Sequence, residues 1–256
     1  MRRLPGSELV IVGWAGHDFR HEREHCGRHR SLCGIGRGQN CVSSAQSMQT
    51  GTDRQSELKS MSQQLRKAKS AVVTVGDGRG FVVNHGHSRL VVTAAQCLPF
   101  FPHGESDLEE KTHKILAPLG SEPTVWAQCL FADPIADIAV LGSPDGQGLP
   151  DEAKAYEVLL KSATPLSIAD GPEQGRGWVL SLERHWLRCT VQIINDGSLW
   201  IPNTSPHVVP GMAGSPIISD SVEAIGVLSL GANLEGWKNP RLVRDLPGWV
   251  LDAQRD

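Results

Sequence analysis

The 256-residue chain has no surplus of positive charge: 25 Lys and Arg stand against 28 Asp and Glu, a formal net charge of -3. Without a basic field, neither nucleic acid nor an anionic membrane surface is an expected partner. It also lacks an apolar run long enough to span a bilayer. The longest one near the start, Leu9 to Ala15 after Arg2 and Arg3, is short and interrupted by Gly13, which makes it a poor signal peptide as well. The six cysteines (Cys26, Cys33, Cys41, Cys97, Cys129 and Cys189) are too few and too irregularly spaced for a disulfide framework, and they read as free thiols. The compartment stays open, the missing signal peptide favouring the cytoplasm. No internal repeat is found.

What the chain does have is short β-type apolar runs, which begin at Ala71. Residues 1 to 65 are rich in Arg, His, Gly, Ser and Gln, and form an expected disordered leader or an over-extended gene start, since Met48 and Met61 lie closer to the first strand. The folded domain is expected over 66–256. Strands are predicted at Ala71–Val75, Gly80–Asn84, Arg89–Thr93, His113–Pro118, Thr124–Ala132 and Ile138–Leu141. A Pro, Gly and Asp linker, Gly142–Asp151, and a short helix, Glu152–Leu160, separate them from a second series. That series is Pro165–Ile168, Gly177–Glu183, Trp186–Asn195, Ser198–Pro202, Pro216–Ser219 and Ala224–Leu230. Two blocks of six strands without regular helices between them predict an all-β fold of two six-stranded antiparallel barrels, about 70–142 and about 163–232. In the closing segment, 239–254, Leu242, Leu246, Trp249 and Leu251 are placed to pack a short helix onto the second barrel.

The leader holds His21-Glu22-Arg23-Glu24-His25, which fits the H-E-x-x-H pattern of zinc peptidases. That chemistry needs an amphipathic helix and a third ligand held by a folded domain, whereas this stretch is charged all round. A looser set, His25, Cys26, His29, Cys33 and Cys41, matches no common zinc-finger spacing. No metal or other cofactor is therefore expected.

Three segments occur in order and in the expected halves: Val91-Val92-Thr93-Ala94-Ala95-Gln96-Cys97, Asp137-Ile138-Ala139-Val140-Leu141, and Gly211-Met212-Ala213-Gly214-Ser215-Pro216. Together they resemble trypsin-like (chymotrypsin-fold) serine proteases of the bacterial type, with Gly80-Phe81-Val82-Val83 and Ala224-Ile225-Gly226-Val227 as supporting strands. In that family the segments read V-T-A-A-H-C, D-I-A-V-L and G-x-S-G-x-P, and supply the histidine base, the orienting aspartate and the nucleophilic serine. Here the histidine position is Gln96 and the serine position is Ala213, while Asp137 is retained. Cys97 follows the triad position as in secreted relatives, but no cysteine between Ala71 and Val92 offers it a bridging partner.

A serine hydroxyl is a poor nucleophile until an imidazole accepts its proton and a carboxylate holds that imidazole in the right tautomer. Gln96 cannot take a proton near neutral pH, and Ala213 has no hydroxyl to activate. The resemblance implies that an anion hole built from the backbone N–H groups of Gly211 and Ala213 survives, since it does not depend on side chains. Such a hole alone gives a rate on the order of 10³ to 10⁴ over water. Losing triad members costs about 10⁶ in turnover, or roughly 8 kcal/mol of barrier reduction. Ser215 is expected to face the barrel interior and not to replace the lost nucleophile.

The resemblance places Ser229, Leu230 and Gly231 along an edge where an extended peptide would pair. The expected function is thus a pseudoprotease, a non-catalytic module that binds a peptide or protein segment in the vestigial cleft. With no residues after Asp256, no appended peptide-binding domain is expected. The alternative is a weak or atypical serine-type hydrolase that uses the anion hole and a water positioned by Gln96 and Asp137.

Overall fold

The computed structural model describes residues 51–99, 111–202, 208–229 and 236–253. The described strands form two six-stranded antiparallel sheets. The first comprises β1 (Val72–Val75), β2 (Gly78–His85), β3 (Ser88–Thr93), β4 (Thr112–Pro118), β5 (Val125–Asp133) and β6 (Ile138–Gly142), closed into a barrel in the order β1-β2-β3-β6-β5-β4. β1 seals it by pairing Val73, Thr74 and Val75 with Pro118, Ala117 and Leu116 of β4. Bulges between Lys114 and Leu116 and between Cys129 and Phe131 supply the local twist that helps a six-stranded sheet curl onto itself. Phe81, Leu116, Ile138 and Leu141 are fully buried inside it.

The second sheet comprises β7 (Gln174–Leu180), β8 (Trp186–Ile193), β9 (Leu199–Pro202), β10 (Pro216–Ser219), β11 (Ala224–Val227) and β12 (Gly236–Asn239), in the order β11-β10-β7-β8-β9-β12. Its ends nearly meet, because Gly226 of β11 makes an isolated bridge to Arg241 just beyond β12. The all-β double barrel expected from the sequence is therefore present, one barrel closed and one nearly so. Its sixth strand is a different one. Pro165–Ile168, predicted as a strand, makes only single bridges from Leu166 to Val83 and from Ile168 to Ala224. The place in the sheet goes to β12, whose Gly236–Asn239 pairs with Pro202–Leu199.

Helix α1 (Gly51–Ser70) covers residues 51–65, where the composition of the sequence predicts a disordered leader. Leu58, Met61, Leu65 and Ala68 recur at helical spacing there. Ala68 is buried, and the Leu65 carbonyl accepts the Trp186 indole N–H at 2.8 Å. Helix α2 (Pro150–Lys161) lies between the two strand series, with Pro150 in its first turn followed by Asp151 and Glu152, an order that suits a helix N-terminus. At the C-terminus the predicted single helix is two, α3 (Leu242–Asp245) and α4 (Gly248–Asp252), because Pro247 interrupts the run. The break resets the helical phase, so Val250 is buried in place of Trp249, which stays exposed and rests near the His85 ring at 5.4 Å. Leu242 and Leu246 are buried as expected. No described helix is long and apolar enough to cross a membrane.

The sheets are fastened by a buried arginine. Arg79 leaves β2, and its guanidinium donates to the Leu180 carbonyl at 2.7 Å and the Ser181 carbonyl at 3.0 Å at the end of β7. Burial, followed by the nearby Arg184 charge, holds its pKa below the ordinary arginine value.

Candidate active-site cleft

β3 and β6 are neighbours, with Thr93 opposite Ala139. The chain just after β3 and the chain just before β6 therefore emerge side by side. Gln96 sits in the 3₁₀ turn Ala95–Cys97, and Asp137 precedes Ile138. Asp137 has a left-handed φ of 57°, a conformation that a non-glycine residue adopts at some cost and that Asp tolerates better than most. Its Oδ1 accepts the Gln96 backbone N–H at 2.9 Å, and its Oδ2 accepts the Gln96 side-chain amide at 2.6 Å. The Ser229 hydroxyl also donates to Oδ2, at 2.5 Å.

β10 and β11 bring the other half. Pro216 pairs with Val227, and the ladder runs on past the strand ends through Leu228 N–H to the Ser215 carbonyl and Gly214 N–H to the Leu228 carbonyl, both 2.8 Å. Ala213 and Ser229 thus lie just beyond the neighbouring ends of adjacent strands. The Ala213 loop lies directly on the first barrel, where the Arg79 N–H donates to the Ala213 carbonyl at 2.8 Å. Gly214 makes that approach possible. At φ +79°, a Cβ on it would lie 1.8 Å from the Arg79 carbonyl oxygen and 2.6 Å from Thr93 Oγ1.

A cavity of about 420 Å³ opens between these pieces, lined by Gln96, Cys97, Asp77, Gly78, Gly211 and Ala213 among others. Ala213 presents only a methyl group here. Gly211 adopts φ +86°, and among the described residues no acceptor takes the N–H of Gly211 or Ala213. Ser215 is fully buried, as expected from its place behind the turn, and its hydroxyl finds no partner among the described residues.

Cys97 is a free thiol whose pKa is raised mainly by burial. Gly78 stands against it, since a Cβ there would be 2.5 Å from Cys97 Sγ. Cys129 and Cys189 are also free and buried, and burial pushes the Cys189 thiol up to about 12.

Of the three residues expected on a peptide-binding edge, Ser229 is buried. Its N–H donates to Asn239 Oδ1 at 2.8 Å and its hydroxyl to Asp137, so both donors are already engaged within the protein. Leu230 and Gly231 lie outside the described residues, as do the leader motif at 21–25, the cysteines and histidines between 25 and 41, and the stretch 203–207. Among the described residues no group of His, Cys, Asp and Glu is arranged to hold a metal ion. Two residues of the site were not anticipated from the sequence. Arg79 carries no motif of its own, and Asn239 falls outside the three matching segments.

The sequence matches no family model and no curated protein. Among solved structures, it is similar to the serine protease of a human pathogenic astrovirus, at 14% identity and a TM-score of 0.45, over 70% of this chain and 94% of that one. The fold itself is two antiparallel six-stranded sheets, one of them a closed barrel, with the cleft residues at their junction.

Proposed function

We propose that this protein is a non-catalytic homologue of chymotrypsin-fold serine proteases that binds an extended peptide or protein segment in its cleft. One observation carries the reading. The place of a general base holds an amide, which Asp137 grips through both the backbone and the side chain of Gln96. Across the same cavity, the place of the nucleophile holds the methyl group of Ala213. An amide has no basicity near neutral pH, and a methyl group has no lone pair, so covalent acyl transfer has neither of its reactants. What remains suits recognition: a concave cavity with backbone groups of Gly211 and Ala213 on its wall, able to satisfy a peptide carbonyl.

The test has two arms. Wild-type protein offered a broad set of peptides and esters is expected to show no hydrolysis that scales with protein concentration and is lost in Asp137→Asn. Peptides selected on it from a random displayed library are expected to bind wild type and to lose binding to Gln96→Trp, which fills the cleft from an exposed position. Hydrolysis that scales with protein and depends on Asp137, or selected peptides indifferent to Gln96→Trp, would overturn the proposal.

A further inference from the structure

A second cavity, of about 410 Å³, lies where the C-terminal ends of α1 and α2 meet β1 and the end of β4, and it shares no lining residue with the central cleft. Its floor is apolar, made by Val72, Val73, Leu119 and Leu159. Its rim carries three cations, Arg66 and Lys69 from α1 and Arg184 from the turn between β7 and β8, and no acidic residue lines it.

None of these cations forms an ion pair among the described residues, where the ion pairs are Arg176 with Asp220, Lys238 with Asp196, Arg241 with Asp170 and Arg244 with Asp245. Arg66 and Lys69 are three apart on one helix and so repel each other. The dipole of α1 favours Lys69 in its last turn, but it gives no reason for a third cation from the other sheet. Arg184 is nevertheless brought in. It takes a left-handed φ of 63°, and its guanidinium lies over Gly120 so closely that a Cβ there would meet Nη2 at 2.0 Å.

At the negative end of α2, two of the carbonyls and one just beyond the helix already have side-chain donors of their own. Arg89 donates to the Leu160 carbonyl and, at 3.0 Å, to the Ala163 carbonyl, and the Ser162 hydroxyl donates to the Leu159 carbonyl at 3.0 Å. Three cations at the rim of an apolar pocket of small-molecule size, with no acidic residue among the described residues lining it or ion-paired to them, are complementary to a ligand having one charged and one apolar end.

We propose that this cavity binds a small amphiphilic anion, a carboxylate or phosphate head on a short apolar body, with the head held by Arg66, Lys69 and Arg184 and the body laid on Val72, Val73 and Leu159. The cavity has room for a body of about eight carbons, a volume typical of small-ligand sites. The site is independent of the central cleft, and its failure would leave the reading of that cleft untouched.

Isothermal titration calorimetry on the full chain tests it with octanoate and octyl phosphate. The expected result is saturable one-to-one binding of at least one of them, weakened with rising salt. Octanol, which has the body without the charge, is expected to bind at least tenfold more weakly, as are acetate and inorganic phosphate, which have the charge without the body. Arg184→Ala and the double variant Arg66→Ala, Lys69→Ala change exposed or half-exposed side chains, and each is expected to weaken binding at least tenfold while keeping the wild-type circular dichroism and melting temperature. A response to octyl phosphate but not octanoate would identify the head as a phosphate, and the converse as a carboxylate. Binding of octanol as tight as that of the anions, anion binding unchanged in both sets of variants, or no binding of either amphiphile would overturn the proposal.

Discussion

Gln96 and Asp137 are joined twice, by the side-chain amide to Oδ2 at 2.6 Å and by the backbone N–H to Oδ1 at 2.9 Å. With the Ser229 hydroxyl as a third donor, the carboxylate is anchored from both sheets. Asp137 is thereby a structural joint of the cleft whether or not any chemistry occurs there.

Asp137→Asn is accordingly expected to destabilise the fold by about 1–3 kcal/mol, because one of its two acceptor oxygens becomes an amide donor that faces other donors. Asn tolerates the left-handed backbone of this position, so Asp137→Ala, which adds backbone strain and removes all the acceptors, should cost more. Urea denaturation of the two variants against wild type measures the order.

Gly214→Ala is expected to be among the most damaging single changes in the protein. Its added Cβ would fall 1.8 Å from the Arg79 carbonyl at a φ that L side chains resist. Strain and clash together should exceed about 3 kcal/mol, by displacing the Ala213 loop from the first barrel. A melting temperature close to that of wild type would contradict this account of how the two sheets meet.

Ser215→Ala should do the opposite. The hydroxyl is fully buried without a partner, and an unsatisfied buried polar group costs about 1–3 kcal/mol. Its removal is expected to raise stability by about 1 kcal/mol or leave it unchanged. A clear loss of stability in a thermal melt would mean that the hydroxyl has a partner.

His113, on β4, has a pKa held below the ordinary value of 6.5 by burial. The unfolded chain therefore takes up this proton first as the pH falls. The contribution of His113 to stability is complete above pH 6.5 and is lost below it, down through the lowered folded-state value. As the pH is lowered below 6.5, denaturation midpoints of wild type should fall more steeply than those of His113→Gln. Equal slopes would contradict the assignment.

How much of this was legible in the sequence follows from how local each signal is. That Gln96 and Asp137 meet is legible because each lies at the end of a short strand with a clear apolar pattern, and β3 beside β6 brings the two together. β12 was missed because its four residues acquire strand character only by pairing with β9, far away in the chain. α1 was read as leader because its apolar stripe of Leu58, Met61, Leu65 and Ala68 is thin among Ser, Gln and Lys, and its meaning depends on Trp186 reaching Leu65. Arg79 was invisible for a similar reason, since its partners are two backbone carbonyls of the other sheet. The bond from the Ser229 hydroxyl to Asp137 was not legible, because the sequence does not tell a hydroxyl that faces a ligand from one that faces a carboxylate of the other sheet.

The most direct measurement is labelling by a fluorophosphonate probe of wild type and of the double variant Gln96→His, Ala213→Ser, alongside peptide and ester hydrolysis. The proposed reading predicts an inert wild type and a double variant that is labelled at position 213, since on that reading the two substitutions restore the base and the nucleophile. Labelling or turnover by wild type would contradict the proposed absence of catalysis, and an inert double variant would contradict the proposed protease-like geometry of the cleft.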